Sequence, residues 1–315
     1  MEIIIPRSLD FRKSIDFCRN INNVSREEEK YTYNYERITF AEPFGMLIVG
    51  STIRQLVEEC SQSEHRDINF RDKDYLANVG FFYSVRQEFG KHPNNLTGNS
   101  DFIPIKKVNI RDSYRDALNE YGSNIVGYID NNISEHIASV ISRGNEQLKI
   151  CLKFCITEVI RNVYDHSDSK ELWYAGQFWP SRDLVEIAII DEGIGIKESL
   201  KRNKKISAST DNEAIEEALK PGVSKRVINP KNTSVDSNQG FGLYMIRSIC
   251  EQIGGLTILS GNSCFNLDRG KESSYVSKFN GTAIRIRIKP SLIVNARHMI
   301  EEFSKQGSQQ VHKIN

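Results

Sequence analysis

Residues 157–167 read TEVIRNVYDHS, a glutamate, an asparagine, an aspartate and a histidine set inside a segment whose apolar positions follow helical spacing. At about 100° per residue, Glu158, Asn162, Asp165 and His166 fall within about 100° of arc, so one helical face carries all four. Cys155, Ile156, Val159, Ile160 and Val163 form the apolar, core-facing side. Burying two carboxylates on one face is unfavourable unless they meet cations, hydrogen-bond donors or metal. The face is therefore either a solvated stripe or the wall of a polar cavity.

Three downstream stretches bear on that choice. IIDEGIGI (189–196) is an apolar strand that delivers Asp191 into a turn with Gly193 and Gly195, where missing side chains let a flat ligand approach the backbone. NQGFGL (238–243) places Gly240 and Gly242 at a helix amino terminus, where free N–H groups and the helix dipole favour phosphate. NGTAIRI (280–286) brings Gly281 and Thr282 onto a late strand. Each is weak alone, since an Asp-Gly turn is usually only a turn.

In this order, over residues 140–290, the stretches resemble the GHKL ATP-binding fold shared by gyrase B subunits, a class of heat-shock chaperones, MutL-type repair proteins, histidine kinases and anti-sigma-factor serine kinases. The resemblance implies an α/β (α+β) two-layer sandwich with helices on one face of a mixed sheet, and ATP and Mg²⁺ as ligands. It implies Asn162 as the Mg²⁺ ligand, Glu158 as the general base of hydrolysing members, and Asp191 as the acceptor for the adenine amino group, with Gly193 and Gly195 beside the base. Gly240 and Gly242, with the backbone of Phe241 and Leu243, resemble the phosphate-facing end of the lid; Thr282 resembles the threonine that supports Asp191. Asn162 and Asp165 together match the gyrase-type pattern, whereas His166 matches the serine-kinase pattern; a helix-end role for His166 stays equally open. Lys225, Arg226 and Lys231, in a polar stretch long enough to be a lid, either reach phosphate or stay solvated.

The amino-terminal segment YTYNYERITFAEPFGMLIVGSTIRQL resembles the STAS fold of anti-sigma-factor antagonists. Where that family has an Asp-Ser-Ser-Gly turn, this chain has Glu42, Pro43, Phe44 and Gly45, so the phosphate-accepting hydroxyl is gone. The expected organisation is a STAS-like α/β domain at 1–95, a linker and helical connector at 96–139, the ATP-binding domain at 140–290 and a helical tail at 291–315. KHPNNLTGNSD (91–101) supplies the boundary.

Composition narrows the function classes. Lys plus Arg number 42 against 41 Asp plus Glu, so no global field holds nucleic acid or an anionic membrane. The longest apolar run, FGMLIVG (44–50), is far shorter than the roughly 20 residues of a membrane span, and the amino terminus does not read as a signal peptide. A cytoplasmic protein is expected. Six cysteines without a C-x-x-C pair read as buried hydrophobes rather than zinc ligands. The expected function is nucleotide-dependent lid closure controlling a protein partner held by the amino-terminal domain, with ATP hydrolysis or serine-kinase transfer left open. A dimerising ATPase and a non-catalytic nucleotide-binding scaffold are the alternatives.

Overall fold

The computed structural model describes residues 1–92, 101–204, 206–223 and 240–314, with side chains through 311. Lys225, Arg226, Lys231 and most of the 91–101 linker lie outside the described residues.

The chain opens with β1 (Glu2–Ile4), β2 (Ser8–Leu9), α1 (Phe11–Ile21), β3 (Lys30–Asn34), β4 (Phe40–Ala41), α2 (Pro43–Glu59), β5 (Glu64–Ile68), α3 (Asp74–Asn78) and α4 (Phe81–Ser84). The Asp10 side chain caps α1 by accepting from the Lys13 N–H, and Ile15, Cys18 and Ile21 bury its inner stripe. In β3 the tyrosine alternation is realised, with Tyr31, Tyr33 and Tyr35 all buried. β1, β3 and β5 pair in parallel in that order, while β2 and β4 make a separate parallel pair. Pro43 opens α2 at a position where no N–H is needed. This helix is buried nearly all round, as a helix covered on several sides must be.

The rest of the chain comprises β6 (Phe102–Asn109), α5 (Ile110–Tyr121), α6 (Ile125–Tyr128), α7 (Glu135–Ile141), α8 (Glu146–His166), β7 (Glu171–Trp179), β8 (Leu184–Asp191), α9 (Gly195–Leu200), α10 (Asp211–Ala218), α11 (Gly242–Ile253), β9 (Gly254–Asp268), β10 (Lys271–Ile288) and α12 (Ala296–Ile314). The fold is mixed α/β. Its main sheet runs β6-β7-β8-β10-β9 and is antiparallel at every pairing, so the parallel pairings lie in the small sheets rather than in this expected mixed one. Residues 102–109, expected in a connector, form an edge strand of that sheet. Their lysines at 106 and 107 disguise the strand pattern, a common feature of edges. β9 and β10 also continue past the expected LTILSG and GTAIRIRIKP into a long hairpin, with Cys264 opposite Tyr275.

Both faces of the main sheet are covered, where helices on one face alone were expected. On one side α8, α11 and α12 pack on Leu172, Ile187, Ile189, Ile258, Ile284 and Ile286 in a single core. On the other, the amino-terminal unit shares a core with Trp173, Ala175, Ala188, Ile190, Leu259 and Ala283. The two sets alternate along each strand, so the unbroken apolar run of β8 serves two layers at once. The same side of the sheet carries Glu186, Arg285 and Arg287. Arg285 donates to Glu42 and Glu186 at 2.8 Å each, and Arg287 donates to Glu186 at 2.8 Å and pairs with Glu42 at 2.9 Å. Glu186 also accepts from the Phe44 N–H in the first turn of α2. Thus Glu42, immediately before α2, ties that helix to the sheet.

All six cysteines are free and buried. No helix among the described residues is long and apolar enough to cross a membrane.

Candidate functional site

The apolar side of α8 behaves as its spacing requires, with Cys155, Ile156, Val159, Ile160 and Val163 buried. Asn145 caps the helix, whose carboxyl-terminal half borders a cleft open to solvent. Eight of the expected site residues line this cleft: Asn162, His166, Asp191, Gly195, Gly240, Gly242, Leu243 and Thr282. Val159, Val163, Ile189, Ile196, Leu200 and Ile284 make most of the remaining wall apolar. Such a mixture, apolar walls with a few convergent polar groups, suits a flat organic ligand.

Asp191 ends β8 at the floor of the cleft and is 2 % exposed. Its Oδ1 accepts from the Gly193 N–H at 2.9 Å, and Thr282 stands directly opposite in the β8–β10 register, where its N–H and hydroxyl stabilise the carboxylate. Burial pushes the Asp191 carboxyl up to about 7 against the downward pull of those hydrogen bonds. Gly193 does not line the cleft but makes the turn possible: a Cβ there would lie 2.0 Å from the Ser167 carbonyl oxygen. The Ile194 N–H donates to that same carbonyl, so the turn is stitched to the end of α8.

Asn162 faces the cleft with its amide Nδ2 buried and without a hydrogen-bond partner. Rotation of the amide by half a turn would present the oxygen instead, so the side chain can act as acceptor or oxygen ligand. Among the described residues no three His, Cys, Asp or Glu side chains converge as a metal cage. A divalent cation here would therefore take its remaining oxygens from a ligand and water, the habit of Mg²⁺.

Glu158 lies beside the cleft rather than in its wall. Its Oε1 accepts from Arg161 at 3.0 Å, and its Oε2 is 2.4 Å from where a Cβ on Gly242 would stand. A side chain at 242 would therefore displace the end of the Glu158 side chain. Burial raises the Glu158 carboxyl above its ordinary range, with Arg161 opposing the shift. Asp165 is not part of the cleft wall, and its charge acts on Tyr114 of α5 and on Glu158. The reason is angular, since Asp165 sits on the far flank of the stripe from His166. Phe241 does not line the cleft, and its ring lies against Gly307 of α12.

The amino terminus of α11 opens at the cleft with Gly242 and has no side-chain cap among the described residues. Its free N–H groups and dipole favour an anion. No Lys or Arg among the described residues lines the cleft. Ser260, which nothing in the sequence singled out, is buried and bridges two of the motifs. Its Oγ accepts from the Ile196 N–H at 3.0 Å and donates to the Gly281 carbonyl at 3.0 Å. Ser167 was equally silent, because its contribution is a backbone carbonyl. No protein-family model matches the chain, and no curated protein matches it either.

Proposed function

We propose that this chain is a GHKL-type regulatory protein that binds Mg·ATP in the cleft between α8, β8 and α11, and that nucleotide binding changes its hold on a protein partner in the cytoplasm. The observation that carries the reading is Asp191, a carboxylate at the floor of an apolar cleft, braced by Gly193 and Thr282. A buried acceptor among apolar walls matches a base with an exocyclic amino group. At the other end, the uncapped α11 terminus and the unpartnered Asn162 amide match phosphate and its cation.

A bound Mg²⁺ would neutralise phosphate charge, and Asn162 is the residue that would hold it. Glu158 is the candidate general base, its burial raising its affinity for a proton above that of an ordinary carboxylate. Its pairing with Arg161, outside the cleft wall, supports a protein that binds nucleotide in this arrangement and needs a shift of Glu158 to turn it over. The amino-terminal unit is the proposed docking module, without a phosphoswitch of its own because Glu42 to Gly45 holds no hydroxyl.

Calorimetric titration of the whole protein with ATP, with and without Mg²⁺, tests the reading. Micromolar or tighter binding that needs Asp191 supports it; equal affinity in Asp191→Ala and Asn162→Ala would reject it. Labelled ATP then separates outcomes: phosphate release indicates an ATPase, label on a co-purifying protein a kinase, and neither a nucleotide-gated scaffold.

A further inference from the structure

At the end of β8 the chain alternates sides. Asp191 faces the cleft, while the next residue, Glu192, reaches the opposite side and accepts from Arg54 Nη2 of α2 at 2.6 Å. The pair is sheltered, with the Arg54 side chain 7 % exposed and that of Glu192 26 %. Arg54 is itself fixed on two further sides. Its Nη1 donates to the Ser84 carbonyl at 2.9 Å, and its guanidinium lies 4.0 Å from the centre of the Trp173 ring. Trp173 in turn is the register partner of Ile190, the residue before Asp191.

The neighbouring residue of α2 holds the second strand end. Gln55 donates to the Asn280 carbonyl at 3.3 Å and accepts from the Asn280 Nδ2 at 3.2 Å. Asn280 is two residues before Thr282, which braces Asp191. Between them Gly281, at φ +107°, brings its Cα so close to Asp191 that a Cβ would lie 2.1 Å from the Asp191 carbonyl oxygen. Two consecutive residues of the amino-terminal unit therefore grip the two strand ends that form the floor of the cleft.

We infer that Arg54 and Gln55 are positioning residues which, through Glu192 and Asn280, set the Asp191 carboxylate and its turn for recognition of the base. The inference rests on the nucleotide reading of the cleft. It makes α2 the physical route by which anything docked on the amino-terminal unit alters nucleotide affinity, and by reciprocity the route by which nucleotide alters docking.

Two measurements on the full-length protein test it, using Glu192→Ala, Arg54→Lys and Gln55→Ala. Residue-resolved hydrogen exchange without nucleotide should speed up about tenfold at the Gly193 and Thr282 amides, with exchange in α12 unchanged. The ratio of affinities for ATP over inosine triphosphate, which lacks the amino group, should fall about tenfold in Glu192→Ala. A uniform rise in exchange across the main sheet would mean general loosening and would overturn the inference, as would an unchanged affinity ratio in variants that bind ATP. If the wild type binds neither nucleotide while exchange at Gly193 and Thr282 responds as expected, the nucleotide reading fails and the clamp on Asp191 stands.

Discussion

Asp191 combines deep burial with a carboxyl group, and its surroundings supply hydrogen bonds but no cation among the described residues near it. A carboxylate here carries a charge that is costly to desolvate and that no neighbouring cation among the described residues offsets. The consequence is measurable. The folded carboxyl titrates at about 7 and the unfolded one near 3.8, so between these pH values the folded state holds a proton that the unfolded state has lost. The associated stability is fully present below the lower value and is lost as pH rises through the upper one, by at most about 4 kcal/mol. Asp191→Asn should flatten that part of the pH profile, gaining stability over the wild type at pH 8 but not at pH 4, in denaturant titrations at a series of pH values. The same site chemistry predicts that Asn162→Ala weakens Mg·ATP binding at least about tenfold while leaving the melting temperature nearly unchanged, because a cleft-facing amide without a partner contributes little to the fold. Glu158→Gln should bind ATP as before and lose any turnover; equal turnover in single-turnover assays would remove Glu158 as the base.

At the scale of elements, α8 and α11 share an apolar core, and at its polar end Glu158 lies against Gly242. Adding a methyl group at 242 places it 2.4 Å from Glu158 Oε2, while Arg161 holds the other carboxylate oxygen, Oε1. Gly242→Ala should therefore displace the Glu158 carboxylate and destabilise the protein by about 1 kcal/mol. Glu158→Ala in the same chain should recover most of that loss, which a double-mutant cycle would read as strong coupling; additive effects would mean the clash is relieved elsewhere. The helices of this junction were legible from spacing, since α8 and α11 each carry an apolar stripe bounded by polar residues or glycine. The edge strand at 102–109 and the far part of the β9–β10 hairpin were not. Their residues meet a partner on one side only, so polar side chains are tolerated and the two-residue period fades.

For the molecule as a whole, the amino-terminal unit is a third layer of the fold. Its removal would expose Trp173, Ala175, Ala188 and Ile190, and would strand Glu186, Arg285 and Arg287 without Glu42. Scanning calorimetry of the intact chain should accordingly show one cooperative transition with matching calorimetric and van't Hoff enthalpies; two separated transitions would show that the layers unfold independently. Glu186 is wholly buried and serves both arginines as well as the first turn of α2. Glu186→Ala should cost about 3–5 kcal/mol, measured by urea unfolding, because it leaves two cations short of a partner inside the protein.

Local pattern determined much of this protein: the helical stripe of 155–163, the alternating tyrosines of β3, the apolar run of β8, and the order of the polar and glycine-rich stretches that end up around one cleft. Those properties depend on neighbours within a few residues, where the periods of helix and strand act directly. Only the tertiary structure decided which polar residues face the cleft. It turned Asp165 and the Phe241 ring away, set Glu158 against Gly242, and brought in Ser167 and Ser260 through backbone and hydroxyl contacts that carry no sequence signature. It also decided that α2 covers the back of the sheet and grips Glu192 and Asn280. Contacts between residues more than a hundred positions apart arise from the packing of whole layers, which no local period encodes.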